Sequence, residues 1–365
     1  MTHELKKLLV APGEGVHTVH TAQNLKNELY PLIYKEDHQE SWLSSFDNIQ
    51  NFNNFILGVP SDCGAGIVRG SNWGPLFLRK EIYSNLKSKL ENETFDLGDI
   101  RIVPHLLHDK YLNESTIENV QKSIYGEVNN LPVSPLSITS SVLDEIFKLK
   151  PQAKILSLGG DHSISYPLVN RYLNHYQKKD QEIAIIHFDA HTDLMKERMG
   201  IDYCFASWAG HIADEIKNPQ NFIQFGIRSS GQNKLYWENK FNIKQYWSRE
   251  LKTVQQIEDI IKLEIDNLKK RSIKKIYISF DIDALDAKEA SATGTPEKAG
   301  ITLINSIKII KSFCKEFELC GCDLVEVAPF TLPYQEFKNS EPQNTLNASL
   351  KIIQEFIKYM NNGHS

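Results

Sequence analysis

No stretch of this chain approaches the ~18 to 20 consecutive apolar residues that a membrane-spanning helix needs. The apolar patch near its start, Leu8-Leu9-Val10 behind Lys6-Lys7, is cut short by Pro12 and Gly13, so it does not read as a signal-peptide core and the expected address is the cytoplasm. A basic excess is missing too. The 41 Lys and Arg stand against 46 Asp and Glu, a formal net charge of −5. Nucleic acids and anionic membrane surfaces are therefore not expected as partners, and small molecules are. Cysteine is scarce: Cys63, Cys204, Cys314, Cys320 and Cys322 form an odd set without CxxC spacing, too sparse for a disulfide scaffold. Cys320-Gly-Cys322 lies inside the apolar run from Leu319 to Val327 and reads as two buried strand thiols. Internal repeats and linkers rich in Gly, Pro or Ser are likewise missing. What remains is a 365-residue chain with 41% hydrophobic residues, enough for a sizeable core and incompatible with global disorder.

Residues 1–52 carry mixed signals that end in an Asn-rich stretch, and they read as an N-terminal extension with one or two short helices. From residue 53 to about 360 the pattern is that of one domain. Short apolar runs recur at Phe55–Val59, Ala153–Leu158, Ile183–Phe188, Phe222–Ile227, Lys275–Phe280 and Asp323–Val327, each long enough for a strand buried on both faces. Helical segments with start signals lie between them, such as Ser165-Tyr166-Pro167 and Thr302. This alternation predicts an α/β fold with a mostly parallel sheet covered by helices on both faces, whose active crevice lies beyond the carboxyl ends of the strands.

Four of the predicted strands end in polar residues that a core would not select. They run into Gly159-Gly160-Asp161-His162-Ser163, Asp189-Ala190-His191-Thr192-Asp193, Asp281-Ile282-Asp283 with Asp286, and Glu326-Val327-Ala328-Pro329. In extended chain, alternation puts Asp189, His191 and Asp193 on one side of their segment, and it does the same for Asp281 and Asp283. Four aspartates converging without cations could not all stay ionised. Two divalent cations would cancel the charges of Asp189, Asp193, Asp281 and Asp283. His162 and His191 complete a hard, oxygen-rich set that suits Mn²⁺, with Ni²⁺, Co²⁺ or Fe²⁺ as other occupants. His187 lies within its strand and reads as a hydrogen-bonded core histidine.

These motifs, together with Gly58-Val-Pro-Ser-Asp62, Gly74-Pro75 with Arg79, and Ala292-Thr-Gly-Thr-Pro296, resemble those of the ureohydrolase superfamily of arginases, agmatinases and formimidoylglutamases. The resemblance runs from about Phe55 to Lys358. It implies a three-layer α/β/α sandwich that binds two Mn²⁺ ions, one held by His162, Asp189, Asp193 and Asp281, the other by Asp189, His191, Asp281 and Asp283. It further implies a water activated between the ions, Asp193 as the carrier of its proton, and Glu326 as the partner of a cationic guanidino or amidino substrate. A homo-oligomer is expected as well.

The sequence also departs from that family's pattern. Many members carry a His-Gly-Thr triplet about 14 residues after the metal-binding histidine, where the His shuttles protons; Phe205-Ala206-Ser207 stands here, and phenylalanine carries no proton. Either another group such as His211 or solvent substitutes, or the substrate's leaving group needs less help. Tyr203, Phe205 and Trp208 make the expected pocket mouth aromatic, although Trp208 reads equally as core packing. The fourth motif has Ala328 where Asn is common, and no segment matches the arginase residues that read an amino acid head group. The resulting expectation is a hydrolase of a linear guanidino or amidino C–N bond, agmatinase-like and releasing urea. A formimidoylglutamase-type hydrolase, a metal-binding pseudoenzyme of the same fold and a one-zinc deacetylase of related topology stay open.

Overall fold

The computed structural model describes residues 2–16, 20, 22–332 and 334–361. Nine strands form one sheet: β1 (Leu9–Val10), β2 (Asn54–Val59), β3 (Thr94–Ile100), β4 (Lys154–Gly159), β5 (Ile183–Phe188), β6 (Phe222–Phe225), β7 (Lys244–Tyr246), β8 (Lys275–Asp281) and β9 (Glu318–Val325). Their spatial order is β1-β3-β2-β4-β9-β8-β5-β6-β7, and every pairing is parallel except that of β1 with β3. The central strands are buried along their whole length, as continuous apolar runs require, and helices cover both faces over two large apolar clusters. The fold is thus the α/β class that the strand-helix alternation predicts.

The six predicted strands are all present, with β9 beginning at Glu318, five residues before the expected Asp323. The predicted helix starts also hold. Ser165–Gln177 opens at the expected serine, and Thr302 caps Leu303–Glu316 by accepting from the Asn305 N–H at 3.3 Å. The described part of residues 1–52 contains three α-helices, Thr2–Leu8, Gln23–Ile33 and His38–Ser45, and a 3-10 helix, Phe46–Asn51, where one or two short helices were expected. These residues also supply β1 and send Leu5, Leu8, Trp42 and Phe46 into the main core. Among the described residues, no helix is long and apolar enough to cross a membrane.

The strand order positions the site. After β4 the chain crosses over and leaves room for β9 and β8 before β5, so the four strands with polar ends are contiguous in the sheet: β4, β9, β8, β5. Register aligns those ends. Phe188 pairs with Phe280, which sets Asp189 beside Asp281, while Asp281 pairs with Val325 and so brings Glu326 to the same edge.

Candidate metal centre

The loop after β4 turns so tightly that a β-carbon on Gly160 would stand 1.9 Å from the Ser61 carbonyl oxygen, a space only glycine can occupy. That turn delivers His162, which is 1% exposed. Its Nδ1 faces three carboxylate oxygens, those of Asp189 at 3.2 Å and Asp193 at 3.1 Å on the loop after β5 and that of Asp281 at 3.2 Å at the end of β8. Yet Nδ1 makes no hydrogen bond of acceptable geometry. The network explains why. Ser279 donates its one hydroxyl proton to Asp323 Oδ1 at 2.8 Å, so His162 Nε2, 3.1 Å from the same hydroxyl, must be the nitrogen that donates. Nδ1 is left buried among three acids without a hydrogen bond to any of them, an arrangement that a cation satisfies.

His191 repeats the pattern. Its Nδ1 lies 3.3 Å from Asp189 Oδ1 and 3.1 Å from Asp283 Oδ2. Asp283 is fixed by the Ala190 N–H at 3.1 Å and the Thr295 hydroxyl at 3.1 Å. Asp189 therefore faces both histidines, one with each oxygen. Two groups of potential donors follow, one centred on His162, Asp189 and Asp193, the other on Asp189, His191 and Asp283. All six residues singled out in the sequence as metal ligands come together. The field among them is strongly negative: although burial pushes the His162 and His191 imidazoles down, the surrounding carboxylates hold both above their ordinary pKa. Burial, then Asp283 and Asp189, raise the Asp281 carboxyl well above the usual range. Protons or cations must neutralise such a cluster.

His187 also lies close enough to His162, Asp189 and Asp193 to be grouped with them. Its hydrogen bonds exclude it as a donor to a cation. Gln224 Nε2 donates to the Thr192 carbonyl at 2.8 Å, which fixes the amide orientation, and the same nitrogen meets His187 Nδ1 at 2.8 Å. With Nδ1 accepting, His187 Nε2 donates to Asp189 Oδ2 at 3.0 Å. The relay continues outward, since Gln245 donates to Gln224 at 2.7 Å and Trp247 to Gln245 at 3.1 Å. His187 is thus the buried, satisfied histidine the sequence suggested, with the added task of orienting Asp189. Trp208 sits at the base of the site and not at its mouth: fully buried, it donates from Nε1 to Asp193 Oδ2 at 3.0 Å.

Glu326 is reached through a backbone turn with φ +63°, and Asp193 has φ +52°, both in the left-handed region that non-glycine residues occupy at a cost. Glu326 Oε1 accepts from the His162 N–H at 2.9 Å, and among the described residues Oε2 has no hydrogen-bond partner. His211 is occupied elsewhere: its Nε2 meets the Asp202 carbonyl at 3.0 Å and its ring packs on Tyr166 and Tyr203. Phe205 is half-buried and lines a cavity beside the cluster.

Residues 53–358 match the Arginase family. The chain belongs to the arginase family. Human mitochondrial guanidino acid hydrolase (Homo sapiens) is 30% identical over 277 residues, 75% of this chain and 71% of that protein. Chicken mitochondrial agmatinase (Gallus gallus) is also 30% identical, over 283 residues, 75% and 73% of the two chains. Among solved structures, formimidoylglutamase from Bacillus subtilis superposes with a TM-score of 0.65 at 20% identity, covering 86% of this chain and 88% of the other. As an arginase-family protein with such relatives, the chain is a hydrolase of C–N bonds in linear amidines, and its His/Asp cluster is able to hold metal.

Proposed function

We propose that this arginase-family chain is a two-metal hydrolase of a small cationic guanidino compound, releasing urea and an amine. The observation that carries the reading is the buried Nδ1 of His162, set among three carboxylates and hydrogen-bonded to none. His162, Asp189, Asp193 and Asp281 would hold one cation and Asp189, His191, Asp281 and Asp283 the other. A set of carboxylate oxygens and two imidazoles favours Mn²⁺ over thiolate-seeking metals. When bound, the ions supply Lewis acidity and lower the pKa of a coordinated water.

The chain's own groups do the rest. Glu326, with Oε1 tied to the His162 N–H, presents Oε2 to the N–H groups of a guanidinium and orients its central carbon toward the acidic cluster. Asp193 keeps one oxygen on the Trp208 indole, which leaves the other to take the proton of the attacking water and pass it to the departing nitrogen. Water adds to the central carbon, the bond to the substituted nitrogen breaks, and that nitrogen leaves as the protonated amine.

Metal analysis of Mn²⁺-reconstituted protein is expected to give two ions per chain, and one would remove the two-metal reading. Chelation should lower the melting temperature, because a ligand bound only by the folded state stabilises it. Urea, ammonia and formamide release from arginine, agmatine, 4-guanidinobutyrate, guanidine and formimidoylglutamate then identifies the reaction. Asp283→Asn should lose metal and turnover together, while Glu326→Gln should keep both metals and lose turnover. Two bound ions with no product from any compound would leave a metal-binding protein without this activity.

A further inference from the structure

Beside the acidic cluster, the loops after β2 and β5 enclose a cavity of about 270 Å³. Cys63, Ile67, Leu107, Met199 and Phe205 give it apolar walls, and Arg198 is the one charged residue among those that line it. The cavity is tied to the loop that carries His162, and its two main lining loops are tied to each other. The Gly64 N–H donates to Asp161 Oδ2 at 3.0 Å, next to His162, and the Phe205 N–H donates to the Gly64 carbonyl at 3.0 Å. Further along the same loop, the Val68 carbonyl oxygen and Glu326 Oε2 stand 3.0 and 3.9 Å from where a β-carbon on Gly294 would be. The lining loop therefore runs from the turn that delivers His162 toward the carboxylate assigned to the guanidinium.

Arg198 is held at the rim by its backbone. Its N–H reaches the Ile201 carbonyl at 2.9 Å and Ile201 returns the bond at 3.0 Å, closing a two-residue turn with Met199 at φ +54° and Gly200 at φ +79°. Positive φ at both central positions is the tight hairpin geometry. The Arg198 guanidinium lies over the Phe205 ring, 5.1 Å from its centroid, and is exposed without an ion-pair partner among the described residues. Neighbouring acids are committed elsewhere: Asp62 accepts from the Gly70 N–H, Asp202 pairs with Lys110, and Glu297 faces His191 Nε2. Glu197 is exposed and does not line the cavity.

We propose that this cavity receives the substrate's tail and that Arg198 selects a carboxylate at its end, so that the chain prefers ω-guanidino acids to guanidino amines. The inference rests on the hydrolase reading above. Apolar walls fit a short methylene chain, and a guanidinium meets a carboxylate with two parallel hydrogen bonds while it repels an ammonium. The two relatives at 30% identity are named for one class each, an acid hydrolase and an agmatinase, so overall similarity does not choose between the classes. The charge at the rim does.

4-Guanidinobutyrate and agmatine are close in length and opposite in terminal charge, which makes them the test pair. Urea release by the Mn²⁺-loaded protein should favour 4-guanidinobutyrate in kcat/KM by about tenfold or more, the scale of one charge-assisted hydrogen bond. Arg198→Glu should reverse the order, mainly through KM, and Arg198→Lys should keep it. Thermal stabilisation by millimolar amounts of each compound reads the subsite without turnover, and the same order and reversal are expected there. Equal or better performance of agmatine in either readout, or an Arg198→Glu variant with an unchanged ratio, overturns the proposal. Absence of urea from every guanidino compound would instead defeat the hydrolase reading, and the stabilisation order would still decide the subsite.

Discussion

The oxygen of Asp189 that faces His162 also accepts from His187, and how firmly that carboxylate is aimed depends on residues that touch no substrate. Replacing His187 with Ala removes the donor and also leaves the Gln224 amide without one of its two acceptors. Groups that orient a ligating carboxylate typically change metal affinity by 10- to 100-fold. His187→Ala should therefore weaken Mn²⁺ binding by roughly tenfold or more, and His187→Gln, whose amide can still donate, should recover part of it. Calorimetric or paramagnetic titration of the metal-free protein measures this directly, and unchanged affinity in His187→Ala would show that Asp189 needs no such support. The six candidate ligands and Glu326 were legible in the sequence because polar residues at the ends of buried strands stand out against the apolar runs before them. His187 lies inside such a run, and what it does depends on Gln224, which is 37 residues away and recognisable only once β5 and β6 are paired. Trp208 was ambiguous for the same reason: an aromatic beside Phe205 in sequence belongs to the floor or the mouth depending on which way its helix turns.

At the level of elements, β3 shows where pattern reading fails. Thr94-Phe-Asp-Leu-Gly-Asp-Ile100 places two carboxylates and a glycine at φ +86° in a strand, so it lacks the continuous apolar run that marked β2, β4 and β5. The acids are present because Arg79, fully buried on the helix Gly74–Asn85, needs them. Asp96 takes its Nε and Nη2 at 3.0 Å each, Asp99 takes Nη1, and the Gly98 carbonyl accepts from Nη2 at 2.7 Å. Arg79 entered the sequence argument as part of a family motif, but its partners here are structural. Burial raises the Asp99 carboxyl above its ordinary value even with Arg79 opposing, so the pair depends on the arginine to stay ionised. Breaking a buried pair from one side leaves the other charge uncompensated and costs about 3–5 kcal/mol. Arg79→Met should lower the unfolding free energy by about that much, read as an earlier denaturant midpoint at unchanged slope. A change below about 1 kcal/mol, the worth of an exposed pair, would mean that water reaches the cluster.

Across the whole molecule, the site exists because β9 and β8 insert between β4 and β5, bringing together four chain segments that begin at residues 154, 183, 275 and 318. The sequence displays the polar strand ends, and their chemistry predicts that they meet, but it does not display the order of the strands. The resemblance to a known family does not extend to residues 1–52, which lie outside the matched span. In the structure that segment closes the β3 edge. Leu9 and Val10 pair antiparallel with Ile100 and Asp99, the Gly13 and Gly15 N–H groups donate to Asp99 Oδ2 at 2.9 and 3.0 Å, and the Trp42 indole donates to the Leu97 carbonyl at 3.2 Å. Without it, a strand bearing Phe95 and Leu97 would present unpaired backbone and bare apolar surface, the combination that promotes edge-to-edge association. A chain beginning at residue 53 keeps every candidate metal ligand and Arg198. It should nonetheless be recovered mostly as aggregate, and any soluble fraction should melt well below the full chain with both saturated in Mn²⁺. Soluble yield, light scattering and thermal unfolding check this. A monodisperse truncated protein with the melting temperature of the full chain would mean that residues 1–52 are dispensable for the stability of the fold.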